Sequence, residues 1–467
     1  MSQMFFRVAV ISAAALALAG CSTISRIGEM FGGTASDRPG TPGQRASAGP
    51  RVNVLAADQR LTPSEALAAA TFQIPASVAV AEWPYPGHGP DQLPPHADAA
   101  SEMRIAWRRS VGTGTGRGTR VTATPVSSGG RIFVMDGMAR VSAWDAGTGA
   151  RVWSVDLRQS DNRDGEAFGG GLAIADGRLY VTSGFRFVAA LNPADGSTVW
   201  RQNTDAPVHG APTPSAGRVF FVDLNNNLHA VDASTGAEAW NYQALIESAR
   251  IAAASSPAIL GDAVIATFGS GEVAALRTSN GQPVWTETLS RANRTSALSE
   301  IRDIPGRPVV SNDRVFAVSH SGVFSAIDGR TGAEAWQLPL VGITTPLPAG
   351  DVVYMVDRAG QLVCASKDTG QIYWIRDLSE GRVRRTGGYL GLRLLGRRTI
   401  RPTWSSPVLA SGRLVMGNTF GEVVAVDAQT GQVQSTLQIG APAFVSPIAV
   451  NGMVYLITDS AELIAIR

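Results

Sequence analysis

The sequence contains few of the residues on which several common classes of protein depend. Cysteine occurs only at Cys21 and Cys364, which excludes a disulfide scaffold and a cysteine-rich zinc site. Lysine occurs only at Lys367, and the 467 residues carry a formal net charge of +2, so the charge gives no reason to expect nucleic acid as a partner. Charged residues make up 17% of the chain and hydrophobic residues 44%, too apolar a composition for a disordered protein. The 51 glycines and 26 prolines are too many for a helical bundle.

Motifs for catalysis, metal binding and phosphate binding are also missing. The chain has no His-Glu-x-x-His pattern and no Gly-x-Ser-x-Gly elbow. The glycine-rich segment 112–118 lacks the Gly-Lys-Ser/Thr ending of a phosphate-binding loop. The histidines share no metal-ligand spacing and stand at His88, His96, His209, His229 and His320. We therefore predict no catalytic residue, no metal site and no cofactor.

The first 20 residues are typical of a secretory signal peptide. Arg7 is followed by an apolar run over residues 8–18, which is too short to span a bilayer comfortably. The run ends in Leu18-Ala19-Gly20-Cys21, which resembles the bacterial lipobox, so we expect cleavage before Cys21 and lipid attachment to its sulfur. Ser22 in place of an aspartate favours the outer membrane, with the protein anchored at its periplasmic face. The alternative is an ordinary signal peptide with a chance cysteine.

Residues 21–102 differ in composition from the rest of the chain. Residues 22–50 are rich in Gly, Ser, Pro and Arg, which is typical of a flexible tether. Thr62-Pro63 before an alanine-rich run predicts one short helix with Thr62 as its N-cap. The proline-rich segment around Trp83 and Tyr85 cannot form regular structure, and we predict a surface strap held against the main domain by these two rings.

Residues 103–467 are built from repeats. Seven segments share a turn motif ending in glycine, and in six of them a tryptophan follows four residues later. Alternating apolar runs predict half-buried strands, the Asp-x-x-x-Gly segment predicts a tight turn, and the tryptophan is placed on the outermost strand to pack against the next unit. The tryptophans recur about every 44 residues, a period typical of a four-stranded β-propeller blade. The turn glycines are Gly149, Gly196, Gly236, Gly281, Gly332, Gly370 and Gly431.

The two ends of the repeat region predict how the ring closes. The last unit stops at Ile464-Ala465-Ile466-Arg467, after its third strand. Trp107 stands on a fourth strand, residues 105–111, that has no blade of its own. Pairing these segments completes an eighth blade and removes the open sheet edges. We therefore predict an all-β fold, an eight-bladed β-propeller of four-stranded blades closed by pairing of the N-terminal strand with the C-terminal blade.

Three segments of the propeller region stand outside the repeat. The inter-blade connection 241–256 carries Arg250 and Ile251, and the connection 289–307 carries Asp303. Both leave neighbouring blades on the same face, and apolar and charged side chains on exposed loops favour a protein-binding patch, with solvated loops as the alternative. The insertion 376–401 carries eight arginines. It is either a cationic patch for anionic lipid, an acidic partner or peptidoglycan, or a solvated loop.

Taken together, these residues resemble the BamB family of outer-membrane assembly lipoproteins. The resemblance covers residues 103–467, and its most specific parts are Ala106-Trp107 with Ser110-Val111-Gly112-Thr113-Gly114, and the segment from Ser290-Arg291-Ala292 to Pro308-Val309-Val310. It implies a non-catalytic scaffold of the outer-membrane assembly (BAM) complex. Such a scaffold binds the periplasmic POTRA domains of BamA and assists the insertion of outer-membrane proteins.

The resemblance also implies where the partner binds. The family's contact surface falls on the two long connections, at Arg250, Ile251 and Asp303, while Pro305 stands where the family has a second acidic residue. The implied partners are BamA and other BAM components, with this chain as a monomer within the hetero-complex and without a cofactor.

Two alternatives share the propeller repeat. The first is a pyrroloquinoline-quinone-dependent dehydrogenase, although such enzymes are usually longer and bind Ca²⁺ and the quinone over the ring centre. Many of them carry an adjacent cysteine pair there, and this sequence has neither that pair nor a cluster of calcium-binding carboxylates. The second is a periplasmic glycan- or peptide-binding propeller, because a fold does not by itself determine a function.

Overall fold

A computed structural model describes residues 61–67, 70–158, 168–245, 255–289, 304–386 and 398–467. These residues form eight four-stranded antiparallel sheets, one two-stranded hairpin and a single 3-10 helix, Glu65–Leu67. The predicted signal peptide and Cys21 lie outside the described residues, so cleavage and lipid attachment stay predictions. Within the described part of the chain, no helix has both the length and the apolar character needed to cross a membrane.

The first strand in the chain, β1 (Ile105–Ser110), belongs to the eighth blade. Blade 1 is β2 (Val126–Ser128), β3 (Arg131–Met135), β4 (Arg140–Asp145) and β5 (Arg151–Asp156). Blade 2 is β6 (Gly170–Ala175), β7 (Arg178–Ser183), β8 (Phe187–Leu191) and β9 (Thr198–Asn203). Blade 3 is β10 (Thr213–Ser215), β11 (Arg218–Val222), β12 (Asn227–Asp232) and β13 (Glu238–Gln243). Blade 4 is β14 (Ala258–Leu260), β15 (Ala263–Thr267), β16 (Glu272–Arg277) and β17 (Pro283–Thr288).

The second half of the ring repeats this order. Blade 5 is β18 (Val309–Ser311), β19 (Arg314–Val318), β20 (Phe324–Asp328) and β21 (Glu334–Leu338). Blade 6 is β22 (Leu347–Ala349), β23 (Val352–Val356), β24 (Gln361–Ser366) and β25 (Ile372–Asp377), and the hairpin β26 (Arg384–Thr386) and β27 (Arg398–Ile400) follows it. Blade 7 is β28 (Val408–Ala410), β29 (Arg413–Gly417), β30 (Glu422–Asp427) and β31 (Val433–Gln438). Blade 8 is β32 (Ile448–Val450), β33 (Met453–Ile457) and β34 (Glu462–Ile466), completed by β1.

The predicted all-β fold and its ring closure are confirmed. Strand β1 pairs antiparallel with β34, with Arg108 opposite Ile464, so the two ends of the propeller share one sheet. First strands of neighbouring blades contact each other, as β6 does with β2 and β10, and therefore lie nearest the axis. The ring has two faces. We call the side with the turns between first and second and between third and fourth strands the turn face, and the opposite side the loop face.

The burial pattern of the strands follows their position in the blade. Middle strands such as β3 and β29 are buried along nearly their whole length, whereas outer strands such as β5 and β31 alternate between exposed and half-buried residues. Middle strands are covered by a neighbouring blade on each side, which is why their sequence is a nearly continuous apolar run. The hydrophobic core accordingly lies between blades, in clusters that each join residues of adjacent sheets.

A tryptophan–glycine contact joins one blade to the next. The ring of Trp200 on the outer strand of blade 2 lies against Gly236 in the turn of blade 3, and the indole N–H donates to the carbonyl of Ala233 at 3.0 Å. Gly236 has a φ of 75°, a conformation that glycine adopts without strain. Side chain and turn therefore have to fit each other at seven of the eight blade interfaces. The seven contacts are Trp107–Gly149, Trp153–Gly196, Trp200–Gly236, Trp240–Gly281, Trp285–Gly332, Trp336–Gly370 and Trp374–Gly431.

The aspartate that opens the turn motif holds the turn in shape. In blade 3 the Asp232 carboxylate accepts hydrogen bonds from the backbone and hydroxyl groups of Ser234 and Thr235. These hydrogen bonds lower the pKa of Asp232 to about 2, and the bond from the Ser234 hydroxyl contributes most. The same arrangement recurs at Asp328 and Asp427. Because the turn has nearly the same shape in these blades, the tryptophan of the preceding blade packs on the same kind of surface each time.

The exception to the tryptophan repeat has a structural reason. Ser435 on β31 of blade 7 occupies the position of the tryptophan, and blade 8 is the next blade of the ring. In blade 8 the third and fourth strands are β34 and β1, which come from opposite ends of the chain and have no turn between them. A tryptophan at position 435 would have no turn glycine to contact.

The proline-rich segment around Trp83 does not lie on the outer surface, where we expected the strap, but across the inner strands of the ring. Trp83 is 1% exposed, and its backbone exchanges two hydrogen bonds of 2.8 Å with Ser127 at the inner strand of blade 1. The Tyr85 hydroxyl donates to the carbonyl of Pro214 in blade 3 at 2.9 Å. The two aromatic residues therefore hold the segment inside the channel and not at the rim.

The same segment contacts every blade. Its backbone groups accept from the amides of Ile174, Ile259 and Val310, in blades 2, 4 and 5, at 2.8–2.9 Å. On either side of this segment, residues 73, 80, 97 and 100 bond with the inner turns or strands of blades 6, 8, 7 and 8. Inner strands of a propeller have a free edge of backbone donors and acceptors, and the strap satisfies part of that edge. We call residues 72–103 the strap.

The short helix predicted from Thr62 begins later than expected. The structure has a 3-10 helix at Glu65–Leu67, in which the amide of Leu67 donates to the carbonyl of Ser64.

Substitution of one turn glycine tests the tryptophan–glycine contact. In Gly236→Ala the new Cβ would lie 2.5 Å from the Trp200 ring, in addition to the strain of a positive φ. Gly217 has nearly the same φ, 73°, but nothing lies within 4 Å of a Cβ built there. We expect Gly217→Ala to lower the free energy of unfolding by about 1–2 kcal/mol and Gly236→Ala by roughly 2–5 kcal/mol. Urea unfolding of both variants measures the difference, and equal losses would contradict the contact.

Candidate docking face

The sequence-predicted site residues belong to the two long connections on the loop face. Arg250, Ile251 and Asp303 lie outside the described residues, so their contacts stay predictions. The structure does describe where the connections leave the ring. One follows β13 of blade 3 and the other follows β17 of blade 4, so both start on the loop face of adjacent blades.

The start of the first connection is tied to the neighbouring turn of blade 3. The side-chain amide of Asn226 donates to the carbonyl of Leu245 at 2.8 Å, and the amide of Ala244 donates to the carbonyl of Asn226 at 3.0 Å. Gln243 bonds to the same turn through the carbonyl of Asn225 at 2.9 Å. From the side of blade 4, Glu272 accepts from the hydroxyl of Tyr242 at 2.9 Å. The first connection therefore begins at a fixed position on the ring.

Leu245 is the exposed apolar residue at this position. It is 69% exposed although its backbone is bonded on both sides. The corresponding start and end of the second connection, Leu289 and Ile304, are buried. A large aliphatic side chain held in water by a fixed backbone is typical of a protein contact. In the sequence Leu245 falls within the connection 241–256, and no pattern there distinguishes it from a buried leucine.

A buried ion pair supports the turn that holds the loop. His229 Nε2 lies 3.1 Å from Asp223 Oδ2, and His229 Nδ1 lies 3.3 Å from a carboxylate oxygen of Glu238. Burial by itself would lower the pKa of His229, but the two carboxylates outweigh burial and raise it. Asp223 also accepts from the amides of Asn225 and Asn227. Burial raises the pKa of Asp223, but the hydrogen bonds from His229 and Asn227 outweigh it and hold the pKa below the usual value.

A funnel opens at the centre of the ring, between the strap and the loop face. Its volume is about 670 Å³, within the range of pockets for small molecules. Every blade contributes residues that precede or follow its inner strand, and Pro86 of the strap closes the bottom. Arg120, Arg307 and Arg358 line the wall, and Asp459 is its one acidic residue among the described residues.

The funnel does not suit the calcium-dependent quinone chemistry of the alternative function. Ca²⁺ takes six to eight oxygen ligands and usually several carboxylates. The funnel offers the carboxylate of Asp459, whose pKa is raised by burial, opposite three arginines. Across the described ranges, no group of three or more His, Cys, Asp or Glu side chains could hold a metal ion.

Much of the arginine-rich insertion is used within the propeller. Arg382 pairs with Glu422 at 3.1 Å and bonds to Thr436, while Arg376 donates to the carbonyl of Gly431 at 2.8 Å. The guanidinium of Arg384 lies 4.1 Å from the centre of the Phe420 ring. Residues 387–397 lie outside the described residues. These bonds favour a structural role for part of the insertion over a fully free cationic patch.

Comparison with known proteins identifies relatives over most of the propeller. A family model described as "Outer membrane protein assembly factor BamB" matches residues 99–163, 137–376 and 383–467. The outer membrane protein assembly factor BamB of Salmonella typhimurium is 27% identical over 364 residues, which span 77% of this chain and 88% of that relative. The protein of the same name from Yersinia pestis is 26% identical over 344 residues, which span 73% of this chain and 82% of that relative.

Solved structures agree on the architecture. The crystal structure of BamB from Moraxella catarrhalis superposes with a TM-score of 0.63 at 18% identity, covering 78% of this chain and 99% of that chain. A quinohemoprotein alcohol dehydrogenase from Comamonas testosteroni gives the same TM-score at 15% identity, covering 86% of this chain and 79% of that chain. At these identities the likeness shows the fold alone.

The buried pair beneath the loop predicts a pH dependence of stability. Because the pKa of His229 is raised in the folded protein, its stabilising effect is complete below the unfolded value of about 6.5 and is lost as pH rises through the folded value. We expect His229→Gln to lower the midpoint of thermal unfolding most at acidic pH, and less as pH rises. The measurement is thermal unfolding across this pH range.

His88→Gln is the matched control. Burial lowers the pKa of His88, so this histidine costs stability as pH falls through the unfolded value. The unfolding midpoint of His88→Gln should therefore rise relative to wild type as pH falls, which is opposite to the behaviour of His229→Gln. A deficit of His229→Gln that does not vary with pH would contradict the assignment.

Proposed function

Because the chain belongs to the family of the outer membrane protein assembly factor BamB, we propose that it assists the assembly of outer-membrane proteins as a non-catalytic scaffold. The family match over most of the propeller is the observation that carries this proposal. A ring of eight fixed blades with loops gathered on one face suits the holding of a partner. The relatives are named as assembly factors, which supports a role without catalysis.

The proposed partner is BamA, bound through its periplasmic POTRA domains, together with other components of the BAM complex. The contact lies on the loop face and includes Arg250 and Ile251 on the first connection and Asp303 on the second. What supports this location is Leu245, an exposed apolar side chain on a rigid loop start, next to the two connections. Charged side chains around an apolar residue give a partner both affinity and orientation.

The proposed location is the outer membrane, at its periplasmic face. Lipid on Cys21 and the tether that follows would keep the propeller near the membrane-embedded partner. A stable anchor needs more than one acyl chain, which bacterial lipoproteins provide. The composition of residues 22–50 supports a tether of this kind.

A charge-reversed double variant tests the docking face. We expect wild type to recover BamA in a pull-down from detergent-solubilised envelope, and Arg250→Glu with Asp303→Arg to lose most of that recovery. Reversal places like charges opposite each other at the contact, which costs several kcal/mol for groups that become buried. The readout is the amount of BamA recovered per amount of bait.

The matched control carries the same charge changes on the turn face, at Arg330→Glu with Asp262→Arg. Both residues are exposed there, so the control should recover BamA as wild type does. Equal recovery by wild type and the loop-face variant would place the contact elsewhere. Failure of wild type to recover BamA would contradict the proposed function itself.

A further inference from the structure

Arg307 breaks the pattern of the repeat at the wall of the funnel. In six blades a proline at the start of the inner strand follows a serine or threonine, and in blade 5 the residue before Pro308 is Arg307. The other six residues are Thr124, Thr213, Ser256, Thr345, Ser406 and Ser446. Five of them line the funnel with Arg307. Blade 5 therefore places a guanidinium where the ring otherwise has small hydroxyl groups.

The guanidinium of Arg307 has no acidic partner in the described part of the chain. Its Nε is buried without a hydrogen-bond partner there, and its backbone amide bonds to the hydroxyl of Thr345. Burial lowers the pKa of Arg307 to about 10, so the group is still a cation at neutral pH. The side chain as a whole is half-buried and lines the funnel, so an anion in the funnel could reach this unpaired charge.

The rest of the wall reinforces the positive field. Arg120 lies over the ring of Phe168, with 5.0 Å from its guanidinium carbon to the ring centre, and Arg358 Nη1 lies 3.0 Å from His320 Nε2. Asp459 is the one carboxylate on the described wall. Three arginines against one carboxylate in a concave site attract anions and concentrate them locally.

The shape of the funnel limits how a ligand enters. Pro86 closes the bottom, because the strap fills the channel from the turn face. Among the described residues the strap occupies the turn-face end of the channel, so a ligand would enter from the loop face. Arg307 also contacts the narrow space beside Trp83 and Pro86, which places it at the closed end of the pocket.

We propose that the funnel is a binding site for a small organic acid, whose carboxylate or phosphate pairs with Arg307 and whose apolar part lies along the apolar wall residues Ile343, Phe444 and Val445. The planar guanidinium suits two parallel hydrogen bonds to such a group. The hydroxyls that line the other blades can donate to its remaining oxygens. All the residues of this site belong to the ring and the strap. The proposal therefore does not rest on the docking of the assembly partner.

Calorimetric titration of the full chain with isophthalate, at constant ionic strength, tests the site. Arg307→Met keeps the apolar stem of the side chain but removes the charge. We expect saturable binding by wild type and at least a tenfold weaker Kd for Arg307→Met. The ligand-free variant should unfold at a temperature no lower than wild type, because a half-buried charge without a counter-charge is removed. An arginine with a purely structural role would instead lower that temperature when it is replaced.

Two further variants keep the test decisive. Arg330→Gln on the turn face of the same blade should bind as wild type does. Arg358→Met, on the exposed part of the wall, should weaken binding even if Arg307→Met folds poorly. Absence of saturable binding by wild type at millimolar isophthalate, or unchanged binding by both funnel variants, would overturn the proposal.

Discussion

The contact between an outer-strand tryptophan and the turn glycine of the next blade is the constraint on which the rest of the structure depends. Each contact fixes how closely two sheets approach, because the indole ring occupies the space that a Cβ on the turn residue would need. Seven such contacts join the eight blades, and the pairing of β1 with β34 replaces the missing turn at the closure. Ser435 marks that point in the sequence. A large ring without a central core is kept rigid in this way by local contacts between neighbours.

The strap adds a second constraint that acts on all blades at once. Its backbone satisfies donors and acceptors at the inner edges, which no neighbouring strand covers. It also fills the channel from the turn face, so that the open end of the funnel and the long inter-blade connections share the loop face. The features with a proposed function are thereby gathered on one side of the ring. The other side consists of short, regular turns.

The sequence predicted much of this architecture because the repeat is local. The spacing from turn glycine to tryptophan and the period of about 44 residues are properties of single blades, and closure followed from counting strands at the two ends. The position of the strap could not be predicted, because its bonds join residues up to several hundred positions apart and a proline-rich segment has no periodicity. The sequence identified Trp83 and Tyr85 as the residues that hold this segment in place, but it did not show which strands they contact. Arg307 was visible as an exception among Ser and Thr residues before proline, yet its meaning depends on the burial and missing counter-charge that folding creates.

We propose that the loop face, and not the turn face, meets the assembly partner. Site-specific photo-crosslinking in intact envelope tests it most directly, with the crosslinker placed at Leu245 on the loop face or at Arg330 on the turn face. We expect a crosslink to BamA from position 245 and none from position 330. A crosslink from position 330 without one from position 245 would contradict it.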